Sequence, residues 1–389
     1  MDLRQTLLAS GTILLAAAAA PAAAPRAVEL RTDSGVWQGR SLVHDDQTCW
    51  LLDATGALHE IKLADVTAHR LLEAPFRPET VVEARDRLRR EAPRGMEVAA
   101  KGRYVVCAPV GQAAAYAALL DEVYNSFWRH FSRRNFGLQP PEFPLTATVF
   151  ANREQFVAHA RQDYPHLPAN LQGYYHRRTN RITLYAESPL TASRLRGDDA
   201  TEREAARSMD RGLSPPPATL PASIDAGARD TLIHEATHQL AFNLGLHSRL
   251  AETPRWITEG LAMLLEEDSR RDDTGGRNPS ERINRSRYIW FRNYLQQRRP
   301  AKSLVPLLER DEPLSAAPLD FYSEAWALSF YLAETRPSEY ARYLRGVAAR
   351  DPLRPYPPEE RLADFQAAFS RDLDHFEGQY LRFLKQIDL

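Results

Sequence analysis

The residues best placed to do chemistry are His234, Glu235 and His238, in the stretch Thr231-Leu232-Ile233-His234-Glu235-Ala236-Thr237-His238-Gln239-Leu240. The pattern is H-E-x-x-H. On a helix, side chains four positions apart leave the same face about one turn apart. Two imidazoles so placed can share one tetrahedral zinc ion, whose nitrogen ligands stand at about 2.0–2.1 Å. Glu235, next to the first histidine, can take a proton from a water activated by the metal. Two solvated histidines on a surface helix are the alternative. The uncharged neighbours and the apolar Leu240 argue instead for a buried helix.

A catalytic zinc site has three protein ligands and one open position, so a third ligand is needed. Glu259 is the candidate, in Thr253-Pro254-Arg255-Trp256-Ile257-Thr258-Glu259-Gly260-Leu261-Ala262. Thr253 can cap a new helix there and Pro254 can open it. Trp256, Ile257, Leu261, Leu264 and Leu265 make this a core helix, where an unpaired carboxylate is costly. A metal ion would offset that cost. The other reading is an exposed glutamate at the rim of the apolar face. Gly260 lets a second backbone come close. His247 is either a loop histidine or a further ligand. Arg255, Arg282 and Arg285 read as surface charges, one of which could receive a substrate carboxylate.

The helix carrying both histidines is expected over 225–244, with Asp225 as its cap and Gly245 as its left-handed stop. Residues 245–252 are long enough to turn the second helix back against the first. Ahead of them, Gly173–His176 and Arg181–Tyr185 flank Arg178-Thr179-Asn180 and read as a hairpin. Residues 79–91, 113–131 and 153–161 read as helices, and 104–108 and 144–150 as strands. Residues 187–221 are polar and proline-rich, a long loop with a short helix near 201–209. Nearly everything after that has helical periodicity. The mixture gives an α+β class.

Residues 28–72 read as five short strands, spaced as in a small Src-homology-like β-barrel, with 74–78 as a linker. Residues 1–24 read as a secretory signal. An apolar run ends at Pro21 among small residues, and it is shorter than the roughly 20 residues of a membrane span. No later segment is long and apolar enough to span. The whole chain, 389 residues with 43% hydrophobic and 26% charged, has ordinary globular composition. A net charge of -1 leaves no basic field for nucleic acid. Cys49 and Cys107 are either a disulfide of an exported protein or two buried thiols.

His234-Glu235-x-x-His238, followed after twenty residues by Glu259 in Trp256-x-x-Glu259-Gly260-x-Ala262, resembles the gluzincin metallopeptidases. More closely, residues 173–332 are similar to an uncharacterised bacterial group, a domain of unknown function placed in that clan. The resemblance implies a gluzincin, thermolysin-like fold over 78–389. It further implies one Zn2+ ion, the ligands His234, His238 and Glu259, and the base Glu235. A tyrosine or histidine past the third ligand often meets the oxyanion in gluzincins, which points to Tyr322. Its other reading is a core tyrosine packed on Trp326. The clan also pairs an edge strand with extended peptide substrate, for which residues 182–185 are the candidate, unless they form an interior strand. Two features depart from the pattern. The Gly-x-Met-Glu-Asn segment of the zinc aminopeptidases is missing ahead of the helix. The aspartate that thermolysin-like members carry four residues after the glutamate is Met263 here, so support for the histidines must come from elsewhere.

The expected chain is therefore a signal (1–24), a small barrel (28–72) and a metallopeptidase-like domain (78–389). That domain divides into an α+β lobe (78–222), the zinc helices (223–268) and a helical lobe (269–389). The expected activity is hydrolysis of peptide or protein substrates in the periplasm or outside the cell, without nucleic acid and without a transmembrane segment in the mature protein. The rival reading is a non-catalytic binding or scaffold protein with a gluzincin shell. An intact Glu235 favours the enzyme, since a structural site would not need it.

Overall fold

The computed structural model describes residues 26–168, 171–186, 226–266, 279–311 and 316–387, with Leu3, Gln5 and Ile224. The expected signal, apart from Leu3 and Gln5, lies outside the described residues. So do Asp225 and the 187–221 stretch with its expected helix.

The chain is mixed α and β, with two five-stranded sheets and eleven α-helices among the described residues. The first sheet comprises β1 (Arg26–Thr32), β2 (Gly35–His44), β3 (Thr48–Leu52), β4 (Leu58–Lys62) and β5 (Val66–Pro75). Its order, β4-β3-β2-β1-β5, is antiparallel throughout. The expected barrel is not formed: β4 and β5 stand at opposite edges. Strand β4 is only five residues long, and a 3-10 turn at Leu63–Asp65 carries the chain directly across to β1. Strand β5 then pairs with β1 from Val66 to Pro75, so part of the expected linker is strand. At the free edge of β4, the Leu58 N–H donates to the carbonyl of Arg178, 2.8 Å away. The sheet's own core is small: Val28, Leu30, Cys49, Leu51 and Ile61.

The second sheet comprises β6 (Met96–Lys101), β7 (Tyr104–Pro109), β8 (Leu145–Phe150), β9 (Gly173–His176) and β10 (Arg181–Tyr185), in the order β6-β7-β8-β10-β9. Its three central strands run parallel. Parallel strands need crossover helices, which cover both faces and make the strands apolar on both sides. Alternate residues of β7 accordingly serve two layers. Tyr104, Val106 and Ala108 join the main core with α2 (Ala113–Arg133), while Val105 packs with Ala84 and Leu88 of α1 (Val81–Glu91). Helix α1 starts with a capping box between Thr80 and Glu83, a device worth about 1 kcal/mol. On the α1 side, Phe150 of β8 packs with Phe156 and Ala160 of α3 (Arg153–Asp163).

The main core runs from this sheet through α4 (Ala226–Asn243) and α5 (Arg255–Ala262) into the C-terminal helices. These are α6 (Arg285–Gln297), α7 (Leu304–Glu309), α8 (Pro318–Thr335), α9 (Pro337–Ala348), α10 (Pro358–Ala368) and α11 (Leu373–Lys385). None of the described helices is long and apolar enough to cross a membrane. Gly260 lets α5 lie close against α8: a Cβ there would lie 2.2 Å from Ser329 Oγ and 2.4 Å from the Ala325 carbonyl oxygen. Cys49 and Cys107 lie on different sheets, each buried as a free thiol.

Candidate metal centre

Helix α4 is buried on most sides. Between 231 and 240, only Thr231, His234, Glu235 and His238 are partly exposed, which is the stripe that helical spacing gives to one open face. Its C-terminus ends as expected, with Gly245 at φ +88° and the Leu246 N–H returning to the Ala241 carbonyl.

Helix α5 starts differently from expectation. Pro254 occupies the cap position and no side chain caps the helix from there. Thr253 Oγ1 is buried and finds no hydrogen-bond partner among the described residues. Asp311, 56 residues further on, accepts the Arg255 N–H at 2.9 Å. Residues 256–262 are all buried, and Glu259 is 6% exposed.

The two helices bring three ligand atoms together. His234 Nε2 and His238 Nε2 are 3.1 Å apart, and each lies 3.5 Å from Glu259 Oε2. Atoms about 2.0–2.2 Å from a tetrahedral ion would stand about 3.2–3.6 Å from one another. Two imidazole nitrogens and one carboxylate oxygen at these separations could hold a metal ion. Burial opposes charge on Glu259, but the imidazoles of His238 and His234 hold its carboxyl well below the usual range. Burial also opposes charge on His234, yet Glu259 and Glu266 together push its pKa well above the ordinary histidine value.

Glu266 is a site residue that the sequence did not reveal. His234 Nδ1 donates to Glu266 Oε1 at 2.8 Å, which turns Nε2 toward the other two ligand atoms. Glu266 accepts in turn from Asn284 Nδ2 at 2.6 Å and pairs with Arg287 at 3.5 Å. Burial raises the Glu266 pKa, but His234 and then Arg287 bring it down to about 2. This is the support that Met263 could not give. Its one sequence signal is spacing: Glu266 stands seven residues, about two turns, after Glu259.

Glu235 faces β9. Its Oε2 accepts the backbone N–H of Tyr175 at 2.7 Å. Residues 182–185, the expected edge, are interior, since β10 pairs with β8 on one side and β9 on the other. The edge strand is Gly173–His176. A buried polar network ties it to α4. Tyr175 Oη donates to Asn180 Oδ1 at 2.8 Å, Asn180 exchanges hydrogen bonds with Asn243, and Gln239 Nε2 donates to the Asn180 carbonyl at 2.8 Å. Gly173 permits the close approach, because a Cβ there would lie 2.8 Å from Thr231 Cγ2.

Tyr322 lines the same cavity as the histidines, a cleft of about 820 Å³. Burial and then Glu259 raise its pKa to about 12. Trp326, its expected packing partner, turns into the core against Phe330 and Tyr288. His247 is not part of the ligand cluster: its Nδ1 donates to the Leu246 carbonyl, its ring packs on Phe242, and burial lowers its pKa to about 3. Arg255 lines the cleft, whereas Arg282 pairs with Glu334.

Residues 229–354 match the family model described as Protein of unknown function (DUF1570). No curated protein matches the chain. The matched stretch holds His234, Glu235, His238, Glu259, Glu266 and Tyr322. It leaves out β9, β10 and the whole first sheet.

Proposed function

We propose that the protein is a zinc-dependent hydrolase of the gluzincin type, a peptidase exported to the periplasm or the cell exterior. One observation carries this reading. A His-His-Glu triangle and a neighbouring carboxylate, already hydrogen-bonded to an edge strand, converge in one open cleft.

An ion held by His234, His238 and Glu259 would supply a Lewis acid that polarises a carbonyl and acidifies a water molecule. The remaining tasks belong to the chain. Glu266 fixes the His234 ring, and Asn284 and Arg287 fix Glu266. Tyr175 N–H holds one oxygen of Glu235. The other can accept a proton from water and return it to a leaving amine. Along β9 the backbone alternates. The Tyr185 N–H reaches the Gln172 carbonyl and the Asn180 N–H reaches the His176 carbonyl, so Gln172 and His176 face inward. Gly173 and Tyr175 face outward; with the Tyr175 N–H committed to Glu235, its carbonyl is left to accept from an extended peptide. Tyr322, protonated at neutral pH, can donate a hydrogen bond to the oxyanion.

The test is elemental analysis joined to cleavage profiling on proteome-derived peptides, with wild type and Glu235→Gln side by side. Glutamine still accepts from Tyr175 N–H but cannot take the proton. The expected result is one zinc per chain in both proteins, and cleavage reduced about 10²–10⁴-fold in the variant. Equal cleavage by both would place the base elsewhere. A zinc-loaded wild type that cleaves nothing would support the non-catalytic reading.

A further inference from the structure

Arg177 directly follows the edge strand and lines the cleft with Glu235 and His238. Its guanidinium lies over the Phe242 ring, 5.6 Å from the centroid. Its carbonyl is clamped by Arg249 Nε at 2.8 Å. Most other charges around the cleft have opposite charges beside them. Glu252 and Asp311 both pair with Arg361, Arg178 pairs with Glu60 at 2.8 Å, and His176 stands 3.6 Å from Asp163. Arg255 has, among the described residues, only Glu259, 3.7 Å away and already facing both histidines. Among the described residues, no carboxylate lies within ion-pair distance of Arg177. Arg177 is exposed to the cleft; partial desolvation there, Arg255 and Arg178 lower its pKa, while Tyr175 and Tyr164 act the other way. Arg177 thus stands in the cleft, under the electrostatic influence of Arg255 and Arg178, without an anion of its own among the described residues. A planar guanidinium stacked on an aromatic ring is well suited to receive a carboxylate with two parallel hydrogen bonds.

We infer that Arg177, assisted by Arg255, forms a carboxylate-binding subsite beside the metal centre, and that the preferred substrates are peptides with an acidic group close to the scissile bond. The inference rests on the peptidase reading for its substrate class. The acidic group is either a side chain or a free C-terminus, and the two present the same chemistry to the guanidinium. One charge-assisted contact of about 1.5–3 kcal/mol amounts to a preference of roughly 10–100-fold.

The experiment measures binding apart from turnover. The probes are N-acetylated alanine hexapeptides with one glutamate, or in a second series one lysine, walked through the sequence, each made with a free and an amidated C-terminus. Affinities are measured on zinc-loaded Glu235→Gln protein, and on the same protein carrying Arg177→Gln or Arg177→Glu. Metal content and melting temperature confirm that the Arg177 variants are folded. The expected result is tighter binding, by roughly 10–100-fold, for one glutamate position or for the free C-terminus. That preference should vanish in Arg177→Gln and turn toward lysine-containing peptides in Arg177→Glu. Equal affinities throughout, no binding by any probe, or a preference that survives Arg177→Gln would overturn the subsite. Acid-selective binding without any cleavage by wild type would retain the subsite and sink the peptidase reading. Cleavage with no acid preference would do the reverse.

Discussion

Each sheet has five strands, yet the two do different work. The first is antiparallel, with a core of five buried residues and one side largely open to solvent. The second is mixed and covered on both faces, and its β8 is buried at every position. Rigidity follows from that difference, because strands packed on two sides leave little freedom to a ligand-bearing helix laid against them. The candidate site sits at the one edge of the second sheet where α4 meets β9. The first sheet adds no ligand, but it braces the neighbouring turn through Leu58 and through Arg178, which stacks on Trp50. One region therefore carries the candidate site and the other supports it.

The largest expected effects test the chemical half of this contrast. His234→Ala or His238→Ala should reduce bound metal from one ion per chain to nearly none, because two remaining ligands hold an ion poorly. Metal analysis after dialysis reads this, and unchanged content in both variants would refute the ligand assignment. Tyr322→Phe should lower kcat about 10²–10³-fold with metal content unchanged. Its ring is not the partner of Trp326, so melting temperature should hardly move; normal turnover would return Tyr322 to a packing role. Glu266→Gln should weaken metal affinity by about 10–100-fold, since the His234 ring loses its anionic anchor. Competition with a chelator measures it, and an unaltered affinity would mean that packing alone orients the ring.

The smallest effect on the site, though not on stability, should come from the joint between the regions. Phe143 fills a small cluster with Leu52 and Leu58 of the first sheet, beside Phe76 and Leu250. Phe143→Ala should cost about 3–5 kcal/mol in folding stability while the folded protein still binds its metal. Metal loss in the folded variant would show that the first sheet shapes the site and would erase the contrast.

The part of this arrangement carried by short-range pattern was legible in the sequence. His234 and His238 declare themselves because four residues of one helix fix their relation, and Glu259 because a carboxylate stands out in an apolar helix. The β9–β10 hairpin was equally plain. What stayed hidden depends on partners distant in sequence. Asp311 replaces Thr253 at the start of α5, and nothing near residue 253 announces this. The grip on Glu235 comes from a main-chain N–H, which no side-chain type encodes. Five strands at regular spacing fit a closed barrel or an open sheet equally well, and the turn after β4 decides. The edge position passed from β10 to β9 because strand order in a parallel sheet is set by crossovers, not by local sequence.

The helix that carries Glu259 leans on residues made much later in the chain. Gly260 is pressed against Ala325 and Ser329, and Trp256 packs on both Tyr343 and Phe365, which also touch each other. A nascent chain that has emerged only as far as α5 possesses all three ligand residues but lacks most of the surface that holds the third in place. Metal capture thus becomes a late event, a signal that the C-terminal helices have docked. On the hydrolase reading proposed above, this timing would be protective: the site stays unassembled while the chain is being synthesised.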